Sequence, residues 1–117
     1  FLTPLERAAE QQSRVRMLAR AIVDIRLHTG AFTFAEAVAY YVHEVGMPEA
    51  VALGEATKNS MFPCTAVMYW LGTQGILDLR DTMRQRPDYS PRHFHDALLS
   101  RGSIPVALAA RLLTAMS

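Results

Sequence analysis

Apolar residues recur at three- and four-residue spacing along most of the chain, the period of helices that bury one side. The clearest case lies near the start, where Val15, Leu18, Ile22 and Ile25 form one stripe. The spacing predicts that this stripe is buried. Arg20, Asp24 and His28 make a second, polar line at four-residue intervals along the same helix.

Cap signals divide the chain into elements. Thr3-Pro4-Leu5-Glu6 combines a hydroxyl N-cap, a proline at the first helical position and a glutamate that closes a capping box. It predicts a helix from about Pro4 to about His28, stopped by Gly30. Thr33-Phe34-Ala35-Glu36 is a second capping box, opening a helix that turns Ala37, Val38, Tyr41, Val42 and Val45 inward and ends at Gly46. Pro48 starts a third, to about Lys58, with Asn59 and Ser60 ending it. After Pro63 the most apolar helix runs from Ala66 to Arg86. Ser90-Pro91 opens a short helix to about Ser100, and Ser103-Ile104-Pro105 a last one to about Ala115.

No run of alternating β-branched residues with hairpin signals interrupts this series. The fold class is therefore all-α: about six helices in an orthogonal or bundle arrangement. With no repeat, low-complexity tract or long linker, residues 1–117 read as a single helical domain or fragment.

Composition narrows the functional classes. A 50% hydrophobic content supplies a compact core, and 12 Lys+Arg against 11 Asp+Glu leave a net charge of +1. That is far from the basic excess a dedicated nucleic-acid binder needs, so no nucleic-acid partner is expected. The best apolar window, Phe62 to Leu79, is broken by Thr, Gly, Gln and Asp, and no membrane span is expected. One cysteine, Cys64, excludes an internal disulfide and fits a reducing compartment, with the cytoplasm slightly favoured. The chain starts at Phe1 rather than Met, and Leu5–Arg20 is too polar for a signal peptide. A processed or truncated product is the expectation.

Four places hold candidate chemistry. His43-Glu44 begins like a zinc-protease helix, but Met47 stands where the second histidine ligand belongs. His93 and His95 are two apart on a helix, on opposing sides of its axis, and cannot easily share one ion. Asp24 and His28, one turn apart, either orient each other toward a substrate or make a capping pair near a helix C-terminus. Tyr69-Trp70 reads first as core packing, with a Tyr69 hydroxyl aimed at a developing oxyanion as the functional alternative. Gly72 and Gly75 suggest a close helix approach, and Cys64 has no activating base in the sequence.

Three ordered segments carry a family resemblance: R-A-I-V-D-I-R-L-H (Arg20 to His28) with G-A-F-T-F-A-E-A (Gly30 to Ala37), P-C-T-A-V-M-Y-W-L-G (Pro63 to Gly72) with I-L-D-L-R (Ile76 to Arg80), and F-H-D-A-L-L-S-R-G-S-I-P (Phe94 to Pro105). Together they resemble the C-terminal end of the bacterial proteins grouped as domain of unknown function family 885, which are similar to zinc metallopeptidases of the helical gluzincin type. The resemblance implies a zinc-binding His-Glu-x-x-His-type motif upstream, with zinc in the intact protein and no metal ligand or cofactor in this chain. It implies Tyr69 and His28 as catalytic groups, and Arg20 and Asp24 as substrate-binding ones. Phe94-His95-Asp96 fits the pattern in a structural role, with His95 or Asp96 tying the last helices to the body.

Two departures stand beside the expected cleft. The usual Asp-Thr-Gly stretch reads Asp24-Ile25-Arg26, and the usual Gly after the helix-starting proline is Cys64. The function implied is the C-terminal, cleft-completing region of a zinc-dependent peptidase, inactive alone. Its partner is then the remainder of the parent protein or a protein carrying the zinc motif, with a homo-oligomer through an exposed apolar face as a further expectation. The alternative is a non-catalytic helical interaction module. A large exposed apolar face favours the first, and a closed core under a polar exterior favours the second.

Overall fold

The structure, a computed structural model, describes residues 2–115. It is all-helical, with six helices and no strand among the described residues: α1 Pro4–His28, α2 Phe34–His43, α3 Glu49–Met61, α4 Thr65–Met83, α5 Pro91–Leu99 and α6 Val106–Ala115. Both capping boxes form. The backbone N–H groups of Thr3 and Thr33 donate to Glu6 and Glu36 at 2.7 Å, and each threonine hydroxyl accepts from the matching glutamate N–H at 3.3 Å. Gly30 and Gly46 follow α1 and α2 with φ of 77° and 71°, the left-handed conformation that a side chain disfavours.

The chain divides into two compact units, Phe1–Trp70 and Leu71–Ser117, so α4 begins in the first and ends in the second. In the first unit α1, α2 and α3 enclose Ala19, Val23, Ala37, Tyr41, Met47, Ala52 and Ala56. Four of these seven are alanines, which let helix backbones approach closely and leave the largest buried side chain, Tyr41, to fill the centre. Ala37 and Tyr41 face inward, with Val38, Val42 and Val45 packed against them, in agreement with the periodicity.

The α1 expectation is reversed. Val15, Leu18, Ile22 and Ile25 are 52%, 43%, 37% and 51% exposed, while the buried line is Ala19, Ala21, Val23 and Asp24. Close packing on α2 and α3 needs the small residues of α1, and the buried Asp24 has partners that only an inward placement supplies, as described below. Periodicity identifies an apolar stripe but not which neighbour covers it.

The second unit has a smaller core of Leu79, Phe94 and Leu113, with Ile76, Met83, Tyr89, Ala97, Leu98 and Ala110 around it. Ser90 caps α5 by accepting from the His93 N–H at 3.3 Å. A Cβ on Gly75 would lie 3.0 Å from Val106 Cγ1, so this glycine marks a close approach to α6, whereas Gly72 has open space. His95 and Asp96 are exposed, and Asp96 faces Arg92 of its own helix at 3.8 Å. Phe94, not its polar neighbours, anchors α5. No helix of the described residues is long and apolar enough to cross a membrane.

Candidate functional site

The polar line of α1 meets the start of α4. Asp24 is 1% exposed, and its carboxylate accepts three backbone N–H groups: Cys64 on Oδ1 at 2.9 Å, Ala66 on Oδ2 at 3.0 Å and Val67 on Oδ2 at 3.3 Å. A helix start leaves its first N–H groups without intrahelical partners and carries partial positive charge. Asp24 therefore caps α4 from another helix, some forty residues away in sequence. Cys64 adopts φ 65°, a left-handed turn between its own N–H, bonded to Oδ1, and the Ala66 and Val67 N–H groups, bonded to Oδ2. Glycine is the residue that takes this conformation without steric cost.

His28 completes the Asp24 side of the site. Its Nδ1 lies 2.8 Å from the Asp24 carbonyl oxygen and 3.1 Å from Asp24 Oδ1. Two acceptors at one nitrogen fix the hydrogen on Nδ1, which leaves Nε2 as the nitrogen available for chemistry. The His28 side chain keeps 29% of its surface exposed.

One turn earlier, Arg20 Nε lies 3.0 Å from Glu55 Oε2, and Lys58 Nζ lies 3.2 Å from Glu55 Oε1. The first contact is close but poorly directed: the Nε–H does not point at the oxygen, so both atoms are buried without a hydrogen-bond partner. Beneath this pair Asn59 receives the Tyr41 hydroxyl on Oδ1 at 2.7 Å and donates from Nδ2 to the Arg20 carbonyl at 3.0 Å. Burial, reinforced by the Glu55 carboxylate, pushes the Tyr41 phenol well above its ordinary 10. A recess of about 230 Å³ opens beside these groups, lined by Arg20, Lys58, Asn59, Phe62, Thr65 and Ala66.

The sequence-derived residues thus fall into distinct settings. Arg20, Asp24 and His28 lie together where α1 meets α3 and the start of α4. Asp24 has no exposed surface to offer a substrate, because both its oxygens are engaged inside the protein. Tyr69 stands one turn beyond Ala66 on α4 and is 63% exposed, so core packing is not its role. Glu55, Asn59 and Tyr41 belong to the same polar assembly, although the sequence marks none of them as a site residue. Asn59 was expected to end α3 but is buried two residues inside it, and a buried amide in a helix is a signal only once burial is known. His43 and Glu44 are exposed at the end of α2, and His93 is exposed on α5. Among the described residues no three His, Cys, Asp or Glu side chains converge to hold a metal ion.

Comparison with known proteins gives one family. The sequence model described as bacterial protein of unknown function (DUF885) matches residues 1–113. No curated protein and no solved structure gives a match. With nearly its whole length matched, the chain belongs to the DUF885 family.

Proposed function

We propose that this chain is the cleft-completing, C-terminal region of a zinc-dependent peptidase, inactive alone and packed in the intact protein against the part that carries the metal. The observation that carries the reading is apolar surface left in solvent. The first unit exposes the α1 stripe of Val15, Leu18, Ile22 and Ile25, and it also exposes Met61 and Phe62 at the end of α3 and Met68 and Tyr69 on α4. A free-standing domain rarely exposes large side chains on this scale, whereas a surface built to be covered does. An interaction module would have the same need of a partner, and it is the polar assembly beside the recess that favours a substrate cleft over a plain docking face.

Among the described residues no three ligating side chains converge, and the roles below are those of this chain's own side chains. Arg20 would hold an anionic group of the substrate. Tyr69, exposed on α4, would donate its hydroxyl to the developing oxyanion, and His28 Nε2 would hold or deliver a proton beside it. Asp24 acts through others as a positioning residue, fixing the His28 tautomer and the start of the helix that carries Tyr69.

The test is the full protein encoded by the gene, purified with zinc and offered a mixed peptide substrate. It should cleave, stop on chelation, and lose kcat by about 10²-fold in Tyr69→Phe, the scale of one lost oxyanion donor. His28→Ala should lose a comparable amount and alter the pH profile. A full protein with no zinc-ligand motif, or one whose cleavage is indifferent to both substitutions, would overturn the reading.

A further inference from the structure

We infer that the recess between Arg20, Lys58, Phe62 and Thr65 binds a carboxylate carried on a short apolar group, and that Glu55, paired with both of its lining cations, is an internal competitor for them. The inference rests on the peptidase reading only in taking a peptide's terminal carboxylate as the natural ligand.

Charge and geometry carry it. Two cations, Arg20 and Lys58, share the single carboxylate of Glu55, which leaves one positive charge in excess at the recess. The Arg20–Glu55 contact is misdirected, so Nε–H lacks an acceptor although a carboxylate oxygen lies 3.0 Å away. A buried donor without a well-directed acceptor is costly, so the Arg20–Glu55 pair is a weak competitor for a carboxylate that meets the exposed part of the Arg20 side chain. Arg20 is reachable, with 36% of its side chain exposed.

The remaining walls set the ligand class. Phe62, 57% exposed, gives an apolar side to the recess, and Thr65 adds a hydroxyl. One excess positive charge beside an apolar ring suits a monoanion with an aliphatic or aromatic substituent. A phosphate dianion would bring a second charge without a partner and nothing to lay against Phe62. The volume of about 230 Å³ has room for one amino-acid residue.

The experiment is titration of the 117-residue chain with N-acetyl-L-leucine, with its amide and with inorganic phosphate at low ionic strength, followed by calorimetry and by backbone amide shifts. The acid should bind at least about tenfold more tightly than the amide, the scale of one charge-assisted hydrogen bond. Phosphate should bind more weakly than the acid, and the shifts should centre on residues 58–66. Arg20→Gln should abolish binding, and Lys58→Gln should weaken it by about threefold, as befits a more exposed cation. Glu55→Gln is the decisive variant because it removes the competitor: affinity should rise by about tenfold. A purely structural ion pair predicts the opposite for Glu55→Gln, namely no gain or a loss through destabilised α3, and that result overturns the inference. Equal binding of acid and amide, or phosphate bound as tightly as the acid, overturns it too. If the chain binds the acid while the full protein cleaves nothing, the site stands and the peptidase reading falls. If the full protein cleaves peptides and the chain discriminates neither ligand nor variant, the site falls alone.

Discussion

The two units of this protein are stabilised by different means. The first unit has a core made largely of alanine, and its geometry is fixed by buried polar groups: Asp24 on the start of α4, and Asn59 between Tyr41 and the Arg20 carbonyl. The second relies on three buried apolar side chains, Leu79, Phe94 and Leu113, with no charged group buried among the described residues. Alanine contributes little apolar area per residue, so a core of this kind gains modestly from burial and depends on directed bonds for a unique arrangement. A core of Leu and Phe gains more per residue but tolerates more than one packing. The candidate chemistry lies in the unit whose positions are set by directed bonds, as expected where side chains must be held to fractions of an ångström.

The contrast breaks most sharply at Asp24. Asp24→Ala strands three N–H groups and removes a charge-assisted cap from a buried position. It should cost about 4 kcal/mol and release the amides of residues 64–67 to hydrogen exchange first. Asp24→Asn keeps one acceptor but turns an NH₂ toward the remaining N–H groups, and should cost about half as much. Urea titration measures both. If Asp24→Ala loses less than about 1 kcal/mol, the cap is incidental and alanine packing alone holds the first unit.

Phe94→Ala is the matching test of the second unit. Truncating its main buried ring should cost about 3 kcal/mol through lost burial and a cavity between α4, α5 and α6. Exchange protection should fall over residues 76–113 while the Asp24-bonded amides keep theirs. Loss of protection in both units together would show that they unfold as one and that the division is geometric only.

These two residues also show what was legible in the chain. The helices could be read because their boundaries are chemical: two Thr-x-x-Glu boxes, a Ser-Pro start, and glycines that take positive φ at Gly30, Gly46 and Gly102. The burying face of α1 could not be. Val15, Leu18, Ile22 and Ile25 have the stronger hydrophobic signal, yet Ala19 and Val23 are inside because alanine lets α1 close on its neighbours. Arg20, Asp24 and His28 were recognisable as one polar line, and they do share a site. What the spacing could not give is the division of labour, in which Asp24 turns inward as a cap and Glu55, on α3, takes up Arg20. Tertiary partners decide such roles, and local periodicity holds no information about them.

Cys64 sharpens the comparison by a smaller amount. Its φ of 65° lies in the left-handed region, where a Cβ meets the following carbonyl, and the Asp24 carboxylate holds it there through the Cys64 N–H. Cys64→Gly should relieve the steric cost and lose some rigidity of the unfolded chain, for a net gain of about 0.5–1 kcal/mol. The gain should vanish in an Asp24→Ala background, where nothing requires the left-handed turn. An equal gain in both backgrounds, read by thermal unfolding, would separate the strain from the cap.

The smallest effect expected is one of pH, and it distinguishes the units by their caps. Glu36 is held below its ordinary carboxylate value of 4.5 first by the Thr33 backbone N–H and then by the Thr33 hydroxyl. A carboxylate whose folded pKa is depressed adds stability that is fully present above its unfolded value and is lost as pH falls through the folded one. Protonation of Glu36 should therefore loosen the start of α2 only below about pH 4.5, the unfolded end of that window. In the second unit α5 is capped by the Ser90 hydroxyl, with His93 rather than a glutamate at the third helical position, so no carboxylate closes a box there. Glu36→Gln should flatten the acid limb of exchange protection at residues 34–37 and leave residues 91–94 unchanged. A parallel acid loss at α5 in both proteins would mean that the box is not the source of the limb.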